Sequence, residues 1–164
     1  MTVCVTSAAL VDSYRTERQP DGTVAVTLVE PMSLILFPES MRDAMKQAGS
    51  AVLPVNTSRL VAFLQFAGVE ESPHHNVTWR LDYPDGRQEQ SPEPLPFQWH
   101  AGSLSEPYFI HLNGLLLFDQ SGVHWYSFYF DGREVARLPL LLCWRTEAET
   151  YLGSMTPPLF GPAR

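Results

Sequence analysis

PYFIHLNGLLLFDQSGVHWYSFYFDGREVARLPLLLCWR, residues Pro107 to Arg145, decides how this chain folds. It holds three apolar runs, divided by Asp119-Gln120-Ser121-Gly122 and by Asp131-Gly132. Asp-Gly between β-prone runs signals a two-residue type I′ hairpin, because that turn needs positive φ at both central residues. The three runs are therefore expected to be consecutive antiparallel strands, a meander with the densest aromatic content in the protein. In the middle run Tyr126, Phe128 and Phe130 alternate with Val123, Trp125 and Tyr129, so each set takes one face. A two-residue turn would set Phe128 opposite Val135 and Trp125 opposite Leu138. Beyond Ala136 the bulky residues change parity, from Val135 to Leu138, Leu140 and Leu142. A bulge near Arg137-Leu138-Pro139 is the expected remedy. The face with Trp125 and Tyr129 is the expected interaction surface unless the helix or the Pro-rich loop covers it.

Working back towards the start, Val3 to Thr16 and Thr23 to Val29 read as two strands joined at Gln19-Pro20-Asp21-Gly22. Ser33 to Phe37 reads as a short buried strand ended by Pro38. Pro38 to Gly49 has Pro and Glu at its start and Gly at its end. Met41, Met45 and Ala48 fall on one face there, so a helix at about 38–48 resting its Met face on the sheet is predicted. Arg59 to Phe66 reads as a central strand, and His75 to Asp82 alternates cleanly, with Val77, Trp79 and Leu81 inward. Gln88 to Pro96, with three prolines, reads as an extended surface loop. Counting gives about eight strands, and the fold class is mainly β: a single antiparallel, immunoglobulin-like β-sandwich with one short helix. Residues 1–146 form that domain, and 147–164 read as an irregular Pro-rich tail.

The 164 residues suit one domain, and 45% hydrophobic against 18% charged residues describes a globular chain. The net charge of −7, with ten arginines and one lysine scattered along the sequence, argues against nucleic acid or an anionic membrane as partner. No basic n-region precedes the first apolar residues and Asp12 interrupts them, so the expected location is cytoplasmic. Cys4 and Cys143 then read as two buried thiols rather than a disulfide.

Gly122, Trp125, Tyr126, Phe128, Phe130, Asp131-Gly132 and Leu138-Pro139-Leu140 together resemble the closing hairpin of a group of small uncharacterised bacterial β-sandwich proteins. VAFLQFAGVEESPHHNVTWRLDYPDG is similar to the middle of the same group, and ALVDSYRTERQPDGTVAVTLVE to its opening hairpin. The resemblance implies a bacterial, intracellular sandwich, and it carries over no activity and no site residue.

Chemistry is sparse. The histidines are His74, His75, His100, His111 and His124, with no H-x-H, H-E-x-x-H or C-x-x-C spacing. No G-x-S-x-G occurs, and Cys143 lies in an apolar run where burial keeps a thiol inert. The expectation is therefore a non-enzyme without a cofactor, a binding or scaffold protein. It would meet a protein partner or a second copy through a sheet edge or the Trp125/Tyr129 face, with Trp99 as a further exposed aromatic. The alternative is a small-ligand or metal-binding sandwich or barrel, possibly hydrolytic, using the loop histidines His74, His75 and His100 with Asp82 or Glu106. Trp99 would then stack on a flat ligand.

Overall fold

The computed structural model describes residues 3–20, 24–68, 74–100 and 102–152. The chain runs through β1 (Cys4–Arg18), β2 (Val24–Pro31), β3 (Leu34–Phe37), helix α1 (Glu39–Gln47), β4 (Leu53–Asn56), β5 (Val61–Ala67) and β6 (His74–Asp82). It continues through β7 (Gln88–Gln90), β8 (Leu95–Gln98), β9 (Ser105–His111), β10 (Leu115–Phe118), β11 (Gly122–Phe130) and β12 (Arg133–Trp144). A 3-10 turn over Arg145–Glu147 leads into α2 (Ala148–Leu152).

One sheet has the order β2-β1-β5-β9, antiparallel throughout. The other has the order β3-β12-β11-β6-β7, with β8 also paired to β6, and β4 and β10 form a two-stranded ribbon. Ala62, Leu64 and Phe66 from the first sheet meet Val77, Leu81, Tyr126, Phe128, Phe130 and Leu140 from the second in one buried cluster. Phe66 is the junction, 4.9 Å from Phe97 and 5.0 Å from Phe130 between ring centroids. Each such ring contributes roughly 1.5–3 kcal/mol when taken from water. The protein is thus the expected mainly-β sandwich, with β5 central in its sheet and Val77 and Leu81 inward.

The details depart from expectation in ways that packing explains. β11 and β12 form the predicted hairpin, and Asp131 (φ 47°) and Gly132 (φ 81°) supply its two positive φ values. The first apolar run, however, is two strands. β9 closes the edge of one sheet and β10 pairs with β4, so no three-stranded meander exists. The crossing between them is held by buried Leu112 and by the Thr57 hydroxyl, 2.6 Å from the Leu112 carbonyl and 3.1 Å from that of Gly114. The bulge lies nearer the turn than predicted. Tyr129 faces Glu134 while Phe128 faces Ala136, so Val135 is the extra residue and Trp125 faces Pro139. β3 is not fully buried, since Leu36 is 39% exposed, and it lies parallel to β12.

Four short strands, β4, β7, β8 and β10, raise the number from eight to twelve among the described residues. Two of them fall in the supposed Pro-rich loop. Pro96 is tolerated because β8 is an edge, where a missing N–H costs no ladder bond. Helix α1 ends in a Schellman arrangement, with Gly49 at φ 67° and the Ser50 N–H donating to Met45 O at 3.0 Å. It seats a different face from the one predicted. Met41 is 42% exposed, while Glu39, Arg42 and Met45 are half-buried. Arg42 lies over the Trp144 ring and 3.1 Å from Glu147, and the Thr146 hydroxyl donates to Glu39 at 2.6 Å. Residues 148–152 are helical instead of irregular, because Ala148 and Tyr151 pack on Leu141, Cys143, Val123 and Leu34. Residues 153–164, with the prolines of the predicted tail, lie outside the described residues. Both thiols are free, but Cys4 is exposed; only Cys143 is buried, and burial pushes its pKa up.

Candidate functional site

Strand alternation puts Trp125, Ser127 and Tyr129 of β11 on the outer side of the larger sheet. The register sets Asp82 and Pro139 beside Trp125, Arg80 and Arg137 beside Ser127, and Thr78 and Glu134 beside Tyr129. Trp125 and Tyr129 are half-buried, and arginines of the neighbouring strands lie over them. The Arg137 guanidinium is 4.8 Å from the Trp125 ring centroid, and that of Arg80 is 5.6 Å from the Tyr129 ring. Asp82 ties the two together. It accepts from Arg80 Nη2 at 3.2 Å and from Gln88 Nε2 at 2.8 Å, and lies 3.5 Å from Arg137 Nη2. The result is a ladder of ring, guanidinium, carboxylate, guanidinium and ring. Arg–aromatic stacking of this kind holds flexible side chains in place. The sequence pattern picks out the two rings but not Arg80, Asp82 and Arg137, whose contribution depends on cross-strand register.

The other sequence-predicted residues do not gather. Trp99 is buried, donating its indole N–H to Ser103 O at 3.0 Å and packing on Phe97, so it offers no exposed ring. His75 is buried with Nδ1 2.6 Å from Asp131 Oδ2, while His74, next along the strand, is exposed on the opposite side. Burial tends to raise the Asp131 pKa, but His75 and the Asn76 amide outweigh it and hold the carboxyl below its usual range. His100 is exposed and lies 3.1 Å from Glu106. A shallow hollow of about 360 Å³ at the β6–β8 pair includes His74 and His75 but not His100. Among the described residues no three His, Cys, Asp or Glu side chains are placed to hold a metal ion. No helix among the described residues is long and apolar enough to cross a membrane.

A second aromatic group escapes the sequence reading. On the outer side of the smaller sheet, Tyr14 stacks on Phe109 at 3.7 Å, and Phe109 meets Phe63 at 5.4 Å. Phe63 and Phe109 are register partners in β5 and β9, a relation that becomes visible only once the sheet order is known.

His124 is 1% exposed on the inner side of β11, its ring 5.3 Å from Tyr83. Its Nδ1–H donates to Gly122 O at 3.2 Å, and burial holds its pKa below the ordinary 6.5. Below that ordinary value the unfolded chain takes up a proton that the folded chain refuses, so stability falls as pH drops through it. His124→Gln should flatten this part of the profile. Urea midpoints of the two proteins, compared from pH 8 to pH 5, should converge as pH falls, and parallel curves would refute the assignment.

These features define the class: a mainly-β sandwich with an arginine-and-aromatic ladder on the outer side of its larger sheet. Among solved structures the chain is similar to an immunoglobulin-like protein from Pseudomonas aeruginosa, at 11% identity and a TM-score of 0.37. The match covers 87% of this chain and 97% of that one, and it bears on neither site nor activity. No family model matches the chain, and no curated protein matches it.

Proposed function

We propose that this chain is a non-catalytic binding or scaffold protein of the cytoplasm, engaging a protein through the outer side of its larger sheet. The single observation behind this is the Trp125–Arg137–Asp82–Arg80–Tyr129 ladder, half-exposed and held in place by ion pairs and stacking. Trp, Tyr and Arg are the residues that dominate protein interfaces, and holding them in advance lowers the ordering cost of binding. The runner-up, a small-ligand site, is favoured by the hollow that His74 and His75 line. It would need a buried pocket to hold a ligand firmly, and this one is open.

The test places a photo-crosslinking amino acid in position 90, where Gln90 is exposed and paired with Arg80. Illumination in cells should give one discrete adduct, whose mass tells a second copy from another protein. Trp125→Ala should weaken its formation about tenfold or more, as loss of a central anchor does. No adduct, or an adduct undiminished by Trp125→Ala with Tyr129→Ala, would refute the reading.

A further inference from the structure

An edge strand leaves alternate backbone N–H and C=O groups unpaired, and most edges of this protein are blunted against chance pairing. β7 has three residues, β3 and β8 have four each, and Pro96 interrupts β8. β9 contains Pro107 and is tied to β8, the Tyr108 hydroxyl donating to Pro96 O at 3.0 Å. The ribbon strands have four residues each, with Pro54 in β4. β2 has none of these devices. It is eight residues long, pairs with β1 alone among the described residues, and carries neither charge nor proline from Val24 to Val29.

The side chains say what fits this edge. Antiparallel pairing of β2 with another β2 about Thr27 is self-complementary. Thr27 meets Thr27, Val26 meets Leu28 and Ala25 meets Val29, so hydroxyl faces hydroxyl and aliphatic faces aliphatic. Val26 and Leu28 are half-buried beside Thr16 and Tyr14, and the pairing covers what they still expose. At Glu30 φ is 50°, which departs from strand geometry and ends the paired stretch. Glu30 is the one charge of the strand, and it falls opposite Val24, whose register partner in β1 is Arg18. Both are exposed, and neither has an ion-pair partner among the described residues. Two strand spacings, about 10 Å, then separate the Arg18 backbone of one copy from the Glu30 backbone of the other, a gap these long side chains span.

We infer that β2 joins the β2 of a second copy of this chain, antiparallel about a two-fold axis at Thr27, so that two four-stranded sheets become one of eight strands. This contact is separate from the ladder on the larger sheet. Two copies of net charge −7 repel at a distance, but salt screens that repulsion beyond about 8 Å and the strand contact is short-range. A single strand pair makes a small interface, so the dimer is a weak one, with a dissociation constant in the micromolar to submillimolar range.

Sedimentation velocity of the full chain, over dilutions spanning that range, should show monomer giving way to dimer. Thr27 is exposed, so Thr27→Lys and Thr27→Glu should leave thermal unfolding unchanged while each sets like charges together at the axis. Either should weaken dimerisation about tenfold or more. An equimolar mixture of the two variants should restore it, because a lysine then faces a glutamate. A chain that stays monomeric throughout, a dimer indifferent to both substitutions, or a mixture that restores nothing would overturn the inference. So would a dimer abolished by Trp125→Ala, which would assign the contact to the ladder. Otherwise Trp125→Ala leaves the dimer intact and Thr27→Lys leaves the position-90 adduct intact, so the two interfaces stand or fall separately.

Discussion

Phe66→Ala is expected to lower the unfolding free energy by about 3–5 kcal/mol, read as a fall in urea midpoint at unchanged slope. Phe66 is 0% exposed and meets Phe97, Phe130 and Tyr108, so its ring joins the inner faces of both sheets. Truncation removes the transfer energy of the ring and leaves a cavity between two rigid layers that cannot close on it. Against a total stability of about 5–15 kcal/mol that is a large share. Phe109→Ala is the control, because Phe109 is only half-buried on the outer side of the same sheet. It should cost clearly less. Equal losses would mean that the space between the sheets is not where the stability resides.

Gly122→Ala is expected to cost about 1–3 kcal/mol, the usual range for forcing a group into filled space. A Cβ at this position would lie 2.7 Å from Pro84 Cγ and 2.8 Å from Pro84 Cβ, and φ is +157°, a backbone that side chains rarely adopt. The glycine therefore lets the turn after β6 close against the start of β11. Pro84→Gly removes both clashing atoms, so the double variant should be less destabilised than the sum of the single ones by about 1 kcal/mol or more. What remains in the double variant measures the cost of φ itself. Strict additivity in thermal or urea unfolding would show that the contact is relaxed in solution.

What the sequence makes legible is local. Asp131-Gly132 declares its hairpin because the turn's φ requirement is written in two adjacent residues, and the Val77/Leu81 alternation needs only its own strand. Partners are another matter. PYFIHLNGLLLF looks continuous, and only Asn113-Gly114 hints at the break where the chain leaves one sheet for the ribbon. Trp99 follows Phe97 at strand spacing, a signal that the surrounding prolines hide. The change of parity in β12 shows that a bulge exists but not that Val135 is the residue set aside. In the candidate site the rings are readable, whereas Arg80 and Arg137 become part of it only through a register that long-range packing determines.

Leu34–Phe37 is held in its sheet by Leu141–Trp144, lying alongside in the same direction. Chains leave the ribosome from the N-terminus, so this early strand waits for the last one to be made. β1, β2 and β5 pair among themselves well before then, which sets the order of assembly: one layer first, the second only once β12 has emerged. Closing so long a loop is slow, and until it closes Leu34–Phe37 is an open strand edge available to neighbouring chains.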